Sequence, residues 1–90
     1  MEPSDLRRRQ LARMLDLPLE NVQAISAGQA VRLGDAIFDE ATDSDDVTGE
    51  PAALQYLEHR IAFLGPLIPA NLTDAVRKRF IERWRSWERV

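Results

Sequence analysis

The 90-residue sequence contains no cysteine and only one histidine, His59. Without cysteine the chain has no disulfide, no thiolate chemistry and no cysteine-based zinc site, and one histidine is too few for a histidine-rich metal cage. Its densest acidic stretch also departs from a calcium loop, because Val47 and Thr48 stand where an EF-hand beginning at Asp43 needs an oxygen ligand and a glycine. The sequence therefore predicts no metal ion and no other cofactor.

Groups that carry acid–base or nucleophilic catalysis are also scarce. His59 is the sole candidate for a general base near neutral pH, and no motif places a serine, threonine or carboxylate to pair with it. The only lysine, Lys78, lies among basic residues rather than beside a carboxylate cluster of the kind a nuclease uses. We therefore predict that the protein is not an enzyme.

Long apolar runs are absent. No stretch approaches the roughly 18 apolar residues of a membrane-spanning helix, and no hydrophobic signal region follows the first charged residues. These absences predict a cytoplasmic protein without a membrane span. A chain of this length has room for one modest core, so we expect residues 1–90 to form a single helical domain.

The apolar residues that are present recur at helical spacing, and no segment alternates with a period of two. Proline, glycine and capping residues divide this pattern, and Ser26 and Gln29 have the spacing of a capping box at one helix start. The polar, acidic segment 42–50 is the predicted loop. The predicted fold is all-α, a compact bundle of about five helices at residues 5–15, 18–25, 27–41, 51–64 and 72–89.

The apolar stripes of these helices predict the core. The fourth helix has a complete stripe at 3–4–3 spacing, formed by Leu54, Leu57, Ile61 and Leu64. The third and last helices have similar apolar arcs. Five residues at the centres of these stripes are predicted to be core: Leu33, Ile37, Leu57, Ile61 and Phe80.

Charge is segregated along the chain. Residues 16–50 hold nine acidic residues and one basic residue, whereas residues 71–90 hold six basic and three acidic residues, and residues 1–15 hold four arginines. Such a pattern serves internal attraction, head-to-tail assembly or an external charged partner. The sequence leaves these three uses open.

The fourth predicted helix also has aromatic residues away from its core stripe. Tyr56 and Phe63 are seven residues apart and share a face with Ala52, His59 and Arg60. This helix is either sandwiched between helices of the same fold or presents an aromatic anchor to another chain. We expect the face to bind another protein chain, and homodimerisation is the simplest case, because twofold symmetry also brings a basic end against the acidic middle.

The last predicted helix places an arginine among apolar residues. Arg83 falls between Leu72 and Val76 on the helical wheel, inside the apolar arc that also contains Phe80, Trp84 and Trp87. A guanidinium there reaches out to water, pairs with a carboxylate or meets a partner's acid or phosphate. We expect Arg83 to pair with a carboxylate of segment 16–50 or of a second copy, and we include Arg83 and Trp87 among the partner-binding candidates.

Six apolar residues near the amino terminus have the spacing of a known motif: Leu11, Ala12, Leu15, Leu17, Val22 and Ile25. In this spacing, residues 8–27 resemble the helix-turn-helix of repressor-type DNA-binding domains. The resemblance implies phosphate contacts from Arg7, Arg8, Arg9 and Arg13, and adenine contacts from Asn21 and Gln23. The sequence departs from the motif at Asp16, where the family's turn prefers glycine, and the expected recognition helix has no basic residue.

A second pattern consists of Leu17-Pro18, Val22-Gln23, Ser26, Gln29, the run from Leu33 to Asp39, and Ser44 to Val47. In these residues, segment 15–47 resembles the small uncharacterised helical domain appended to Rpn-type nuclease domains. Nothing in the chain matches the nuclease part. The resemblance implies an accessory or interaction module.

The leading prediction is thus a non-enzymatic protein–protein interaction or assembly module, such as a small subunit, an adaptor or an inhibitor that occupies a partner's surface. The alternative is a helix-turn-helix DNA-binding protein that uses residues 8–27.

Overall fold

The computed structural model describes residues 3–88, and over that range the chain forms four α-helices and no β-strand. Three short 3₁₀ turns lie in the connections, at Leu19–Asn21, Gly65–Leu67 and Ala70–Leu72. The all-α prediction is confirmed, although the number of helices is four rather than five. The helices are α1 (Pro3–Leu15), α2 (Ala27–Asp43), α3 (Glu50–Leu64) and α4 (Thr73–Glu88).

The predicted helix at residues 18–25 is wrong. A single 3₁₀ turn at Leu19–Asn21 occupies part of this segment, and Val22 after it is extended. The amide of Ile25 donates to the carbonyl oxygen of Leu67 at 3.0 Å instead of to a helical neighbour. This distant bond and the burial of Val22 and Ile25 favour an extended backbone over a second helix.

Helix α1 ends where Asp16 adopts a φ of 55°, in the left-handed region. The amide of Leu17 then donates to the carbonyl oxygen of Ala12 at 2.9 Å, and that of Asp16 reaches the oxygen of Arg13 at 3.4 Å. These two bonds form a Schellman cap, which satisfies carbonyl groups at the helix end. A guanidinium nitrogen of Arg32 also donates to the oxygen of Leu15 at 2.8 Å, so the end of α1 is fixed against α2.

Helix α2 begins at the predicted capping box. The Ser26 hydroxyl accepts a hydrogen bond of 3.3 Å from the backbone amide of Gln29. Oε1 of the Gln29 side chain accepts one of 2.9 Å from the backbone amide of Ser26. From this start α2 runs parallel to α4 and packs closely against it, with Gly34 beside Val76. Towards the other end of the pair, the ring of Phe38 meets that of Phe80 edge-on, with centroids 6.3 Å apart.

The core lies between α2, α3 and α4, with α1 packed across it. Leu33, Ile37, Leu57 and Phe80 are fully buried, as predicted. Ile61 is only half-buried, so its place at the centre of the core is corrected. The buried residues of α3 are Ala53, Leu57 and Leu64.

These three residues face the other helices. Leu54 and Ile61 lie at the edge of that contact and are only partly buried. Within the described residues, no helix has both the length and the apolar character that a membrane crossing requires.

Candidate partner-binding face

The outward side of α3 carries two neighbouring hollows. Tyr56, His59, Arg60 and Phe63 line the first, which has a volume of about 290 Å³. The second, also of about 290 Å³, lies towards the acidic loop and is lined by Asp46, Val47, Ala52, Gln55, Tyr56 and His59. Because Tyr56 and His59 line both hollows, the two form one continuous surface, here called the outer α3 strip. The structure thus brings together the three candidates that the sequence places on this helix.

Tyr56 is held in place by contacts within the chain. Its hydroxyl donates a hydrogen bond of 2.9 Å to Oε2 of Glu40, which lies on α2. The same carboxylate forms an ion pair with Nε of Arg60 at 3.2 Å, and the Arg60 guanidinium lies 5.6 Å from the centre of the Tyr56 ring. Arg60 was expected on this face from its spacing, but sequence reasoning missed Glu40, because its contacts depend on how α2 and α3 pack.

The surroundings of Tyr56 change its acidity. Burial raises the pKa of its phenol above the ordinary value of 10.0, and Glu40 acts in the same direction. The hydrogen bond with Arg60 lowers the pKa of this phenol and partly offsets those two effects. Tyr56 is therefore a neutral hydrogen-bond donor with a fixed orientation at neutral pH.

Phe63 projects from the same strip without such contacts. Its side chain is 39% exposed, whereas its backbone carbonyl accepts a hydrogen bond of 2.8 Å from Nε of Arg7. Arg7 thereby places a cation at the carboxyl end of α3, where the helix dipole favours one. The Phe63 ring is an exposed apolar group on a fixed backbone, next to the exposed His59.

The two ends of the outer α3 strip carry opposite charge. Arg7 lies at the Phe63 end and forms no ion pair within residues 3–88, whereas the charge of Arg60 is balanced by Glu40. At the Val47 end, Asp45 and Asp46 are exposed and form no ion pair within residues 3–88. The strip therefore runs from a basic end to an acidic end.

Arg83 is engaged within the chain. One of its terminal nitrogens lies 3.0 Å from Oδ1 of Asp35, and the other lies 3.9 Å from Asp39. Its guanidinium also lies 4.7 Å from the centre of the Phe38 ring. The predicted pairing of Arg83 with a carboxylate of segment 16–50 is confirmed, which leaves less of this side chain for a partner.

Trp87 forms a second exposed aromatic site, at the carboxyl end of α4. Its side chain is 51% exposed, and its ring lies 6.3 Å from Phe38 and 5.0 Å from Trp84, measured between ring centroids. A hollow of about 220 Å³ lies beside it, lined by Phe38, Arg83, Ser86 and Trp87. This hollow is smaller than either hollow of the outer α3 strip, and its one cation is already paired.

Part of the segregated charge forms ion pairs within the chain. On α4, Arg77 forms two hydrogen bonds to Glu58, of 2.8 and 2.9 Å, and Arg85 lies 3.3 Å from Glu50. Asp35 forms ion pairs with both Arg79, at 2.7 Å, and Arg83, at 3.0 Å. Most basic side chains of α4 thus face carboxylates of the same chain.

The residues implied by the helix-turn-helix resemblance do not form that motif in the structure. The expected recognition helix is absent, because Asn21 ends a 3₁₀ turn and Gln23 lies in the segment that leads to α2. Arg8 donates to the carbonyl oxygen of Leu19 at 3.3 Å, and Arg7 is bound to α3 as described. Only Arg9 and Arg13 are exposed among the four arginines, and Arg7 and Arg8 are half-buried.

No protein-family model matches the chain, and no curated protein or solved structure matches it either. The resemblance of segment 15–47 to the domain appended to Rpn-type nucleases therefore stays a prediction from the residues that carry it.

Proposed function

We propose that this protein is a non-enzymatic interaction module that binds another protein chain through the outer α3 strip. The observation that carries the proposal is the exposed ring of Phe63 beside the fixed side chain of Tyr56. Aromatic side chains surrounded by groups that exclude water are the usual anchors of protein interfaces. Trp87 is more exposed, but the hollow beside it is smaller.

The strip is organised before binding, which favours an interface role. The bonds from Glu40 to Tyr56 and Arg60 fix two of its side chains, and the bond from Arg7 fixes the backbone at Phe63. A partner therefore loses little free energy in ordering this surface, because immobilising a mobile side chain costs about 0.5–1.5 kcal/mol. Fixed aromatic groups with charged ends also give such a surface a preferred orientation for its partner.

The test replaces Phe63 with the photoreactive residue p-benzoylphenylalanine in the cells that produce the protein. Leu19 is the matched control position, because its exposed fraction of 40% equals that of Phe63 within one per cent. We expect a covalent adduct with a protein chain from position 63 and none from position 19. The adduct is identified by mass spectrometry, and the complex is then formed again from purified components.

In the purified complex, Phe63→Ala is expected to weaken binding at least about 30-fold, the loss that defines an interface anchor. Leu19→Ala is expected to leave the dissociation constant unchanged. Equal cross-linking from both positions, or a Phe63→Ala complex of unchanged affinity, would reject the outer α3 strip as the binding surface.

A further inference from the structure

The geometry points to a second copy of this chain as the occupant of the outer α3 strip. We infer an antiparallel twofold pair of α3 helices, in which Phe63 of each copy enters the hollow beside Ala52 of the other. This inference rests on the proposed function and names the partner of the same surface. Two features of the strip support it: its charge, and the positions of its exposed phenyl ring and of its smallest side chain.

Charge is the first feature. The Phe63 end carries Arg7 and the Val47 end carries Asp45 and Asp46, and none of the three forms an ion pair within residues 3–88. A parallel pair would place like charges together at both ends. An antiparallel twofold pair instead places the basic end of each copy against the acidic end of the other, so the favourable contact occurs twice.

The spacing of the lining residues defines the register of such a pair. The six α3 residues that line the two hollows follow the 3–4 spacing of one helix face, and their midpoint lies between residues 57 and 58: Ala52, Gln55, Tyr56, His59, Arg60 and Phe63. Twofold symmetry keeps the sum of opposing residue numbers constant along an antiparallel pair. Every lining residue of one copy therefore lies opposite a lining residue of the other.

Side-chain size is the second feature. In this register the smallest lining residue, Ala52, lies opposite the exposed ring of Phe63, and Tyr56 lies opposite His59. The hollow beside Ala52, of about 290 Å³, is open to receive a phenyl ring. At each end of the pair a large side chain thus meets a small one, which favours close packing between the two helices there.

The extent of the strip sets the strength of the pair. Ala52 and Phe63 are eleven residues apart, which corresponds to about 16 Å along a helix. Such a contact is smaller than the roughly 800 Å² per partner of a standard stable interface. We therefore expect a reversible dimer with a dissociation constant on the order of 10 µM, in which a single packing change has a large effect.

Sedimentation velocity of the full chain over a concentration series measures this equilibrium directly. The monomer mass is 10.3 kDa, and we expect the sedimenting mass to approach twice that value as concentration rises. Phe63→Ala is expected to weaken the dimer at least about 30-fold, because it removes the inserted ring from both contacts. Leu19→Ala, with a similar exposed fraction at a site outside the strip, is expected to leave the equilibrium unchanged.

A residue swap tests the register independently of the single substitution. Ala52→Phe alone is expected to weaken the dimer at least tenfold, because two phenyl rings then oppose each other. The double variant Ala52→Phe/Phe63→Ala restores one large and one small residue at each contact, so its dissociation constant is expected to return to within about threefold of the parent value. Circular dichroism checks that each variant folds. A double variant that is folded but remains as weak as either single variant would overturn this register.

The charged ends give a further readout. Asp46→Lys is expected to weaken the dimer about fivefold, because it brings like charges together twice. Glu20→Lys is the control, since it makes the same charge change on an exposed residue of the Leu19–Asn21 turn. Equal effects of the two substitutions would overturn the antiparallel arrangement, because net charge alone would then explain them.

Photocrosslinking from position 63 separates this inference from the proposed function. An adduct between two copies of the chain supports both. A protein that sediments as a monomer throughout and forms an adduct only with a different protein overturns the second copy as partner, while the binding surface stands. Absence of any adduct above the position-19 control overturns both.

Discussion

Oδ1 of Asp35 lies 2.7 Å from Nε of Arg79, and this contact joins α2 to α4 beside the closest approach of their backbones. At the preceding residue, Gly34, an added Cβ would lie 2.7 Å from Cβ of Arg79 and 2.9 Å from the carbonyl oxygen of Val76. The Asp35–Arg79 pair and the lack of a side chain at Gly34 act together. The glycine lets the two parallel helices come close, and the carboxylate then reaches the arginines of α4.

This close approach predicts opposite effects for two glycine substitutions in α2. Gly34→Ala is expected to destabilise the protein by about 1–3 kcal/mol, because the new Cβ meets atoms that cannot move without separating the helices. Gly28→Ala is the control, since a Cβ there has no atom within 4 Å. It is expected to stabilise the helix by about 0.4–1 kcal/mol through the lower entropy of the unfolded chain. Urea unfolding measures both, and a Gly34→Ala protein at least as stable as the parent would contradict the assigned contact.

Burial along α2 and α3 predicts a graded series of alanine variants. Ile37→Ala and Leu57→Ala remove fully buried side chains, and each is expected to cost about 2–5 kcal/mol of unfolding free energy. Ile61→Ala is expected to cost less than half as much as Leu57→Ala, because Ile61 is only half-buried. The comparison uses urea unfolding under one set of conditions. Equal losses for Leu57→Ala and Ile61→Ala would place Ile61 in the core after all.

The sequence predicted the parts of the fold that depend on local signals. Ser26 and Gln29 form the capping box at the start of α2, and their spacing is sufficient to recognise it. The helical wheel of α4 likewise predicted that Arg83 pairs with a carboxylate, because a charged group inside an apolar arc is costly to bury unless it is paired. Both signals lie within a few turns of one helix.

The parts that were missed depend on contacts between distant segments. The expected helix at residues 18–25 gives way to a bond between Ile25 and Leu67, which are 42 residues apart. The environment of Tyr56 depends on Glu40, which lies on another helix. Tyr56 was placed on the correct face of α3 from its spacing, but its partners there follow from packing angles that the sequence pattern does not contain.

The cap of α1 predicts a stabilising substitution. Asp16 adopts a φ of 55°, a conformation that is unfavourable for most residues with a Cβ. Asp16→Gly is expected to stabilise the protein by about 0.5–1 kcal/mol, because glycine adopts this conformation without a steric penalty. Thermal melting compares it with Asp43→Gly, an aspartate that is the last residue of α2 and is expected to lose stability. A destabilised Asp16→Gly protein would show that the aspartate side chain makes a stabilising contact.

Tyr56 is the only tyrosine, so its titration is observed directly in the ultraviolet absorbance of the whole protein. Its pKa is raised above 10.0, mainly by burial. A raised pKa in the folded state means that the neutral phenol contributes stability in full below pH 10, and that this contribution is lost as the pH rises through the folded pKa. Unfolding free energy is therefore expected to fall more steeply with pH above about 10 in the parent protein than in Tyr56→Phe.

Two substitutions around Tyr56 are expected to move its titration in opposite directions. Glu40→Gln removes a carboxylate that raises the pKa of the phenol, so the midpoint is expected to fall. Arg60→Gln removes a cation that lowers the pKa of the phenol by stabilising the phenolate, so the midpoint is expected to rise. Glu20→Gln is the control, because it makes the same glutamate-to-glutamine change at an exposed site in the Leu19–Asn21 turn. It is expected to leave the Tyr56 titration midpoint unchanged. Absorbance titration of the four proteins under identical salt conditions gives the comparison. Shifts of the same sign for Glu40→Gln and Arg60→Gln would mean that the Glu40–Tyr56–Arg60 contact does not persist in solution, and Tyr56 would then not be the fixed member of the outer α3 strip.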